Sequence, residues 1–279
     1  NMILSSTHSD GFISGVSYTG NLIEEMYCDT YDVMVLVSSW DRRSICITGA
    51  TQLKATKGIL VLFDDRDQQG LRDNHDQKLL HYCEFSAIQN EIVVGRSTEV
   101  EQIWGKILDS ILSEYIRSGR PLSLFIDAST CPRYYTLGIL GYCLKSGIAH
   151  RVTISYAEAL YPDKKPGIHG IEELTFTDGW WKAIAPPSLE GMFSPGKKRF
   201  FLVSVGFEGW KTMRAVTRAD PDRVSILLAD PGFNHEYAER TLDGNKGLID
   251  CYKIPEQQIA RSVAGDAIGA WKVLTETAL

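Results

Sequence analysis

The chain has no apolar run approaching the roughly 18 residues a membrane-crossing helix requires, which argues against a transmembrane segment. Its six cysteines (28, 46, 83, 131, 143 and 251) contain no C-x-x-C pair and no close Cys/His cluster, the spacing a zinc site needs. Their expected state is buried free thiols in a reducing cytoplasm, with Cys46 and Cys143 on apolar helical patterns and Cys251 in a strand. Basic charge is not in excess: 29 Lys and Arg face 35 Asp and Glu, giving a net charge of -6. That balance argues against a nucleic-acid-coating role, while leaving room for a small anionic ligand held by a few converging arginines.

Recognisable catalytic motifs are missing too. The sequence contains no G-x-G-x-x-G, Walker A, G-x-S-x-G or H-E-x-x-H, which disfavours common dinucleotide enzymes, P-loop NTPases, α/β-hydrolases and zincins. The six histidines do not converge in sequence; His75 and His81 fall on a polar helix and read as surface residues, and His169 and His235 in loops. Residues 1–20 are polar and Ser/Gly-rich, without the basic and apolar regions of a signal peptide, so the expected location is cytoplasmic.

What is present is the composition of a packed globular protein: 44% apolar and 23% charged residues. At 279 residues the chain is long enough for one large domain or two ordinary ones. Val33 to Val37 is apolar on both faces, the pattern of an interior parallel strand covered by helices. Ser39 to Ser44 turns into a short helix, and further strands are expected at Gly58–Phe63, Glu91–Val94, Leu122–Ile126 and Arg151–Tyr156. Helices are expected over Leu71–Glu84, Thr98–Arg117 and Pro132–Lys145, the second capped by Ser97 or Thr98 and closed by Gly119 and Pro121. This alternation predicts a parallel sheet with right-handed crossovers.

Tyr161 to Lys198 breaks the rhythm with five of the ten prolines, and a hairpin is expected around Leu174 to Ile184. The strand–helix pattern then returns with strands at Arg199–Ser204, Val224–Leu228 and Leu248–Tyr252 and a helix over Pro255–Leu274. Aligning Trp40 with Phe207, Asp41 with Glu208, the Ile92 strand with Ile249 and the Thr98 helix with the last one suggests an internal duplication. The expected fold is therefore α/β, two units with mostly parallel sheets: residues 1–160, a loop-rich connection 161–198, and residues 199–279.

Ligands in open α/β sheets collect where strands end and helices begin. Three turns of this kind carry polar residues. In Ser38–Ser44, Ser39 and Arg43 suit phosphate or ribose oxygens and Trp40 could stack on a base; equally, Ser39 or Asp41 caps the helix while Trp40 fills the core. In Asp127–Arg133, Ser129 or Thr130 caps a helix opened by Pro132, with Asp127 and Arg133 as ligand residues and Cys131 where a thiol pKa tends to fall. The acidic turn Asp64–Asp67, with Asp41 and Asp127, could hold Mg²⁺ through Asp64 and Asp65, or be a solvated turn. In the second unit, Glu208 and Asp230 occupy the equivalent turns, better suited to ribose hydroxyls or an amine than to phosphate.

At Ser-Ser-Trp-Asp-Arg-Arg-Ser (38–44) and Ile-Asp-Ala-Ser-Thr-Cys-Pro-Arg (126–133) the chain resembles Rossmann-like proteins of bacterial antiviral defence operons, a group that includes CARF-type nucleotide sensors and effector modules. The resemblance spans Val33–Tyr156 and, more weakly, Arg199–Leu274, and implies two Rossmann-like units and a nucleotide-like ligand. Three functional readings follow. The first is a nucleotide-binding module; the second is a metal-dependent nucleotide- or phosphodiester-hydrolysing enzyme using Asp41, Asp127 and Glu208. The third is an interaction subunit whose segment 161–198, with Phe176, Trp180, Trp181, Met192 and Phe193, meets a protein partner.

Overall fold

A computed structural model of the chain describes residues 4–9, 14–19, 30–50, 53–64, 71–157, 184–191, 194–232 and 236–278. The expected hairpin near Leu174, the aromatic residues of segment 161–198 and Asp65 lie outside the described residues. The chain divides into two compact units, one of residues 23–167 with 184–191, the other of residues 1–22, 168–183 and 192–279.

The first unit is built on a parallel sheet. Its strands are β3 (Thr30–Val37), β4 (Lys54–Phe63), β5 (Ala87–Gly95), β6 (Leu122–Asp127) and β7 (Ala149–Ser155), numbered after a hairpin β1 (Leu4–Ser9) and β2 (Ser14–Thr19) in the other unit. The spatial order is β5-β4-β3-β6-β7. The chain thus starts at the centre, winds outward through β4 to β5, then crosses back to lay β6 and β7 on the other side of β3. The winding direction reverses between β3 and β6, which pair in parallel with Val35 opposite Ile126.

Residues 31 to 37 of β3 are all buried, as its two-faced apolar pattern requires. Val33, Val35 and Val37 join one core with Ile103, Trp104, Ile107 and Ile111 of α3 (Val100–Ser118) and Tyr135, Ile139 and Cys143 of the helical run that opens as α4 (Arg133–Gly138). Met34 and Leu36 face the opposite way, joining Ile47 of α1 (Cys46–Ala50) and Leu79, Tyr82 and Cys83 of α2 (Leu71–Ser86), together with Phe125 of β6. Each fully buried side chain of this kind contributes about 1.5–3 kcal/mol. Helix α3 starts later than expected: its N-cap is Glu99, not Ser97 or Thr98, and Glu99 Oε2 accepts the Arg96 N–H at 3.1 Å. It ends as expected at Gly119, whose φ of 65° places its N–H on the Tyr115 carbonyl. Helix α4 runs on into a π-type turn over Ile139–Leu144, and Gly138 lets Trp104 approach so closely that a Cβ there would lie 2.9 Å from the indole.

The N-terminal edge of this sheet is pinned by Asp32, which is 7% exposed. Its Oδ1 accepts from Arg120 at 2.7 Å, and its Oδ2 accepts from the Ser123 N–H at 2.7 Å and from a second Arg120 nitrogen at 3.0 Å. Burial alone would raise this carboxyl, but the bonds from Arg120 and Ser123 outweigh it and hold the pKa below the ordinary carboxylate value.

The second unit carries a separate parallel sheet, order β10-β9-β8, from β8 (Phe200–Ser204), β9 (Arg223–Ala229) and β10 (Ile259–Ser262). Its helices are α5 (Gly209–Ala219), α6 (Glu236–Gly244), α7 (Lys246–Tyr252) and α8 (Ala267–Ala278). Two expectations change here. Leu248–Tyr252 is helix α7 and not a strand, because the Asn245 carbonyl accepts the Leu248 and Ile249 N–H groups and starts a turn. The strand lies beyond it at β10, inside the stretch read as one helix from Pro255 to Leu274. Pro255 precedes it, Gly265 at φ 82° follows, and the Asp266 carboxylate, accepting the Gly269 N–H at 2.8 Å, starts α8 only after that. The suggested equivalence of Ile92 with Ile249 therefore sets a strand against a helix.

Candidate functional site

The strand-end position of Ser38–Arg43 and of Asp127–Arg133 follows from β3 and β6 being neighbours: both turns leave the same edge of the sheet, at the point where its winding reverses. Open α/β sheets hold ligands at such reversal points because the two outgoing loops diverge to opposite faces. The turns are tied directly, Thr130 Oγ1 donating to the Val37 carbonyl at 3.0 Å.

After β3, the Ser38 N–H continues the ladder onto Val61 and its hydroxyl hydrogen-bonds the Asp76 carboxylate of α2. Asp41 caps the next turn, Oδ1 accepting the Arg43 N–H at 2.9 Å, while Oδ2 accepts Arg43 Nε and a terminal guanidinium nitrogen at 2.9 and 2.7 Å. The remaining terminal nitrogen of Arg43 donates to the Tyr156 hydroxyl at 3.3 Å, just beyond β7. Arg43 is thus already paired, and the pair is electrically neutral. Burial pulls the Asp41 carboxyl upward, but the Arg43 side chain and N–H outweigh it and hold the pKa below its ordinary value. Ser39 presents its hydroxyl oxygen to the Asp41 N–H at 3.3 Å, and Trp40 is 40% exposed, standing out of the core.

After β6, Asp127 is 5% exposed and its neighbour Ser129 6%. Asp127 Oδ1 accepts from the Ser129 N–H at 3.0 Å, the Ser129 hydroxyl at 2.5 Å and the Ser155 hydroxyl of β7 at 3.2 Å. Ser129 in turn accepts the Ala157 N–H at 2.8 Å, so the cradle joins β6 to the exit of β7. Oδ2 has no partner among the described residues, yet it is not one of the buried unpartnered atoms, so it opens to solvent. Burial pushes the Asp127 carboxyl above its ordinary value despite these bonds. Arg133 is exposed at the start of α4. Cys131, expected to have a lowered pKa at a helix start, is instead buried and pushed up to about 12 by desolvation. The hydrophobic enclosure around its sulfur wins over the helix end.

One residue of this edge escaped the sequence reading. His75, expected on the surface, is 7% exposed and reaches the Ser39 carbonyl with Nδ1 at 2.7 Å. A carbonyl only accepts, so Nδ1 carries a proton, and with the ring uncharged Nε2 is a bare acceptor. Nε2, like Asp127 Oδ2, lacks a described partner and is not among the buried unpartnered atoms. The signal was there: the buried stripe Leu79, Tyr82 and Cys83, extended one turn toward the N-terminus, lands on His75 and Arg72, both of them buried.

Asp64 is exposed at the end of β4, hydrogen-bonding its N–H to Gly95. Among the described residues, no three His, Cys, Asp or Glu side chains group closely enough to hold a metal ion. In the second unit Glu208 sits at the N-cap of α5, its Oε2 paired with Lys211 at 2.6 Å and its Oε1 buried without a partner. Asp230, at the end of β9, pairs with Arg261 at 3.3 Å. Gly209 is required there, since a Cβ would lie 1.9 Å from the Gly244 carbonyl oxygen.

The first unit thus belongs to the doubly wound α/β class by its strand order and its reversal point. No family model, curated protein or solved structure matches the chain.

Proposed function

We propose that the first unit binds a small nucleotide-like molecule at the strand-end edge between β3 and β6, acting as a sensor or effector module of the kind found in defence operons. The observation that carries this reading is the convergence of two polar turns at the winding reversal, joined by Thr130 and Val37. Trp40 and Tyr156, exposed by 40% and 59%, flank the edge and offer faces on which a base can stack. Asp127 supplies an open oxygen held rigidly by two serines. Binding is favoured over metal-dependent hydrolysis because Asp41, a carboxylate that hydrolysis would need, is engaged by Arg43.

The test is a thermal-shift screen of the full chain against nucleosides, mono- and dinucleotides, cyclic oligonucleotides and NAD. A ligand at 100 times its Kd adds about 2.7 kcal/mol to folded-state stability, which a melting curve resolves. Absence of any shift at millimolar concentration overturns the reading.

A further inference from the structure

Resting on that reading, we infer that the site grips the hydroxyl- or amine-bearing nucleoside part of its ligand through two open acceptors, His75 Nε2 and Asp127 Oδ2, and leaves the phosphate outside.

Both side chains lie on the same face of the sheet. Side chains alternate along a strand, so Asp127 shares its face with Phe125, and Phe125 belongs to the core that α2 covers with Leu79, Tyr82 and Cys83. His75 is one turn before Leu79 on that same helix stripe. The two residues also share a neighbourhood: His75 Nδ1 lies 2.7 Å from the Ser39 carbonyl and 3.5 Å from the Ser44 hydroxyl, on either side of Asp41 in the turn after β3, and both Asp41 and Asp127 act on the Cys46 thiol of α1. Each is more than nine-tenths buried, and each has one polar atom fixed inward and the other left open: Nδ1 on the Ser39 carbonyl, and Oδ1 in its two-serine cradle. A buried polar side chain that turns one unsatisfied atom toward solvent is poised for a partner with the complementary group.

Both open atoms accept, so that partner must donate. Ribose hydroxyls and exocyclic base amines donate; a phosphate does not. Two cations of this face are already committed, Arg43 to Asp41 at 2.7 Å and Arg72 to Asp76 at 3.6 Å, and the third, Arg42, is exposed at the surface with no ion pair among the described residues. Arg133, exposed, begins α4, whose Tyr135 packs into the core on the opposite face. The helices that follow on the His75 face offer no anion seat either: the turn after Asp41 spans four residues and α1 five.

Isothermal titration of the full chain with adenosine, guanosine, cytidine and uridine, with their 5′-monophosphates, and with inorganic phosphate tests this. The expected result is that one nucleoside binds within about threefold of its monophosphate and that phosphate alone does not bind. A monophosphate bound more than about 30-fold tighter than its nucleoside, or binding of phosphate alone, overturns the inference while leaving nucleotide binding intact. Failure of every nucleoside and nucleotide overturns the underlying reading. Two substitutions separate contact from scaffold. H75N keeps an amide nitrogen near Nδ1 for the Ser39 carbonyl but removes Nε2, so it should melt like the parent and bind the nucleoside about tenfold more weakly, the worth of one hydrogen bond to a ligand. H75Q carries its amide at the ε position and should recover part of that loss. Parental affinity in H75N would eliminate His75 as a contact.

Discussion

Asp32 and Asp127 sit at opposite edges of one sheet, and replacing each by asparagine should have opposite consequences. Both are about as buried, 7% and 5% exposed, so burial alone predicts equal effects. Their oxygens differ. At Asp32 both oxygens accept, from Arg120 on one side and from Ser123 and Arg120 on the other. An amide there must turn an NH₂ toward a donor, losing at least one charge-assisted bond, so D32N should cost about 2–3 kcal/mol. At Asp127 all three hydrogen bonds converge on Oδ1, and Oδ2 opens to solvent. Asparagine keeps Oδ1 in its cradle, turns the NH₂ outward and removes a desolvated charge, so D127N should change stability by less than about 1 kcal/mol in either direction. Urea unfolding followed by circular dichroism measures both; with a slope of about 1–3 kcal/mol per molar, the D32N midpoint falls by roughly 1 M or more. The pH dependence separates them further. The lowered Asp32 pKa contributes stability above the ordinary carboxylate value, lost as pH falls through the folded value; D32N removes that acid-side loss. The raised Asp127 pKa means the folded state takes up its proton first, so acidification through that value toward the ordinary one adds stability, and D127N abolishes the gain. If D127N destabilises as much as D32N, Oδ2 is not open and the site has been misread.

Other substitutions and reagents probe the remaining elements. G209A drives a Cβ to within 1.9 Å of the Gly244 carbonyl, a backbone atom that cannot rotate away, and should destabilise the second unit by more than about 3 kcal/mol; a melting curve unchanged from the parent refutes that packing. G138A first meets the Trp104 ring, at 2.9 Å, and should cost about 1–3 kcal/mol, with a change in tryptophan fluorescence as the indole shifts. In native protein, iodoacetamide mapped by mass spectrometry should label the exposed Cys46 and Cys251, and reach Cys83, Cys131 and Cys143 only after denaturation. Burial raises each of those three thiols to about 12, and rapid native labelling of Cys131 would contradict its enclosure.

The central strand was readable because a run apolar on both faces has few other places to go, and α3 because its apolar stripe repeats at the helical period. The Leu248–Tyr252 stretch was misread because so short an apolar run fits a strand or one face of a helix equally well. The outcome turned on Asn245, whose carbonyl gathers the following N–H groups. His75 was missed because a polar residue on a polar helix looks solvated until the helix has a sheet to lie on. Cys46 and Cys251, expected to be buried, are exposed, since a small side chain gives little periodic signal of its own.

Local chemistry in the chain itself determined the alternation of strands and helices, the parallel class of sheet and the polar character of the two strand-end turns. Hydrophobic periodicity and turn residues act over a few positions and survive without tertiary context. Only the folded sheet decided that the winding reverses between β3 and β6, which makes those two turns neighbours although they are separated by some ninety residues. It likewise decided that Arg43 is neutralised by Asp41, that the Cys131 thiol is held protonated, and that His75 and Asp127 each keep one atom open. Pairing, desolvation and access depend on what surrounds an atom in space, and that is fixed by strand order and not by neighbours along the chain.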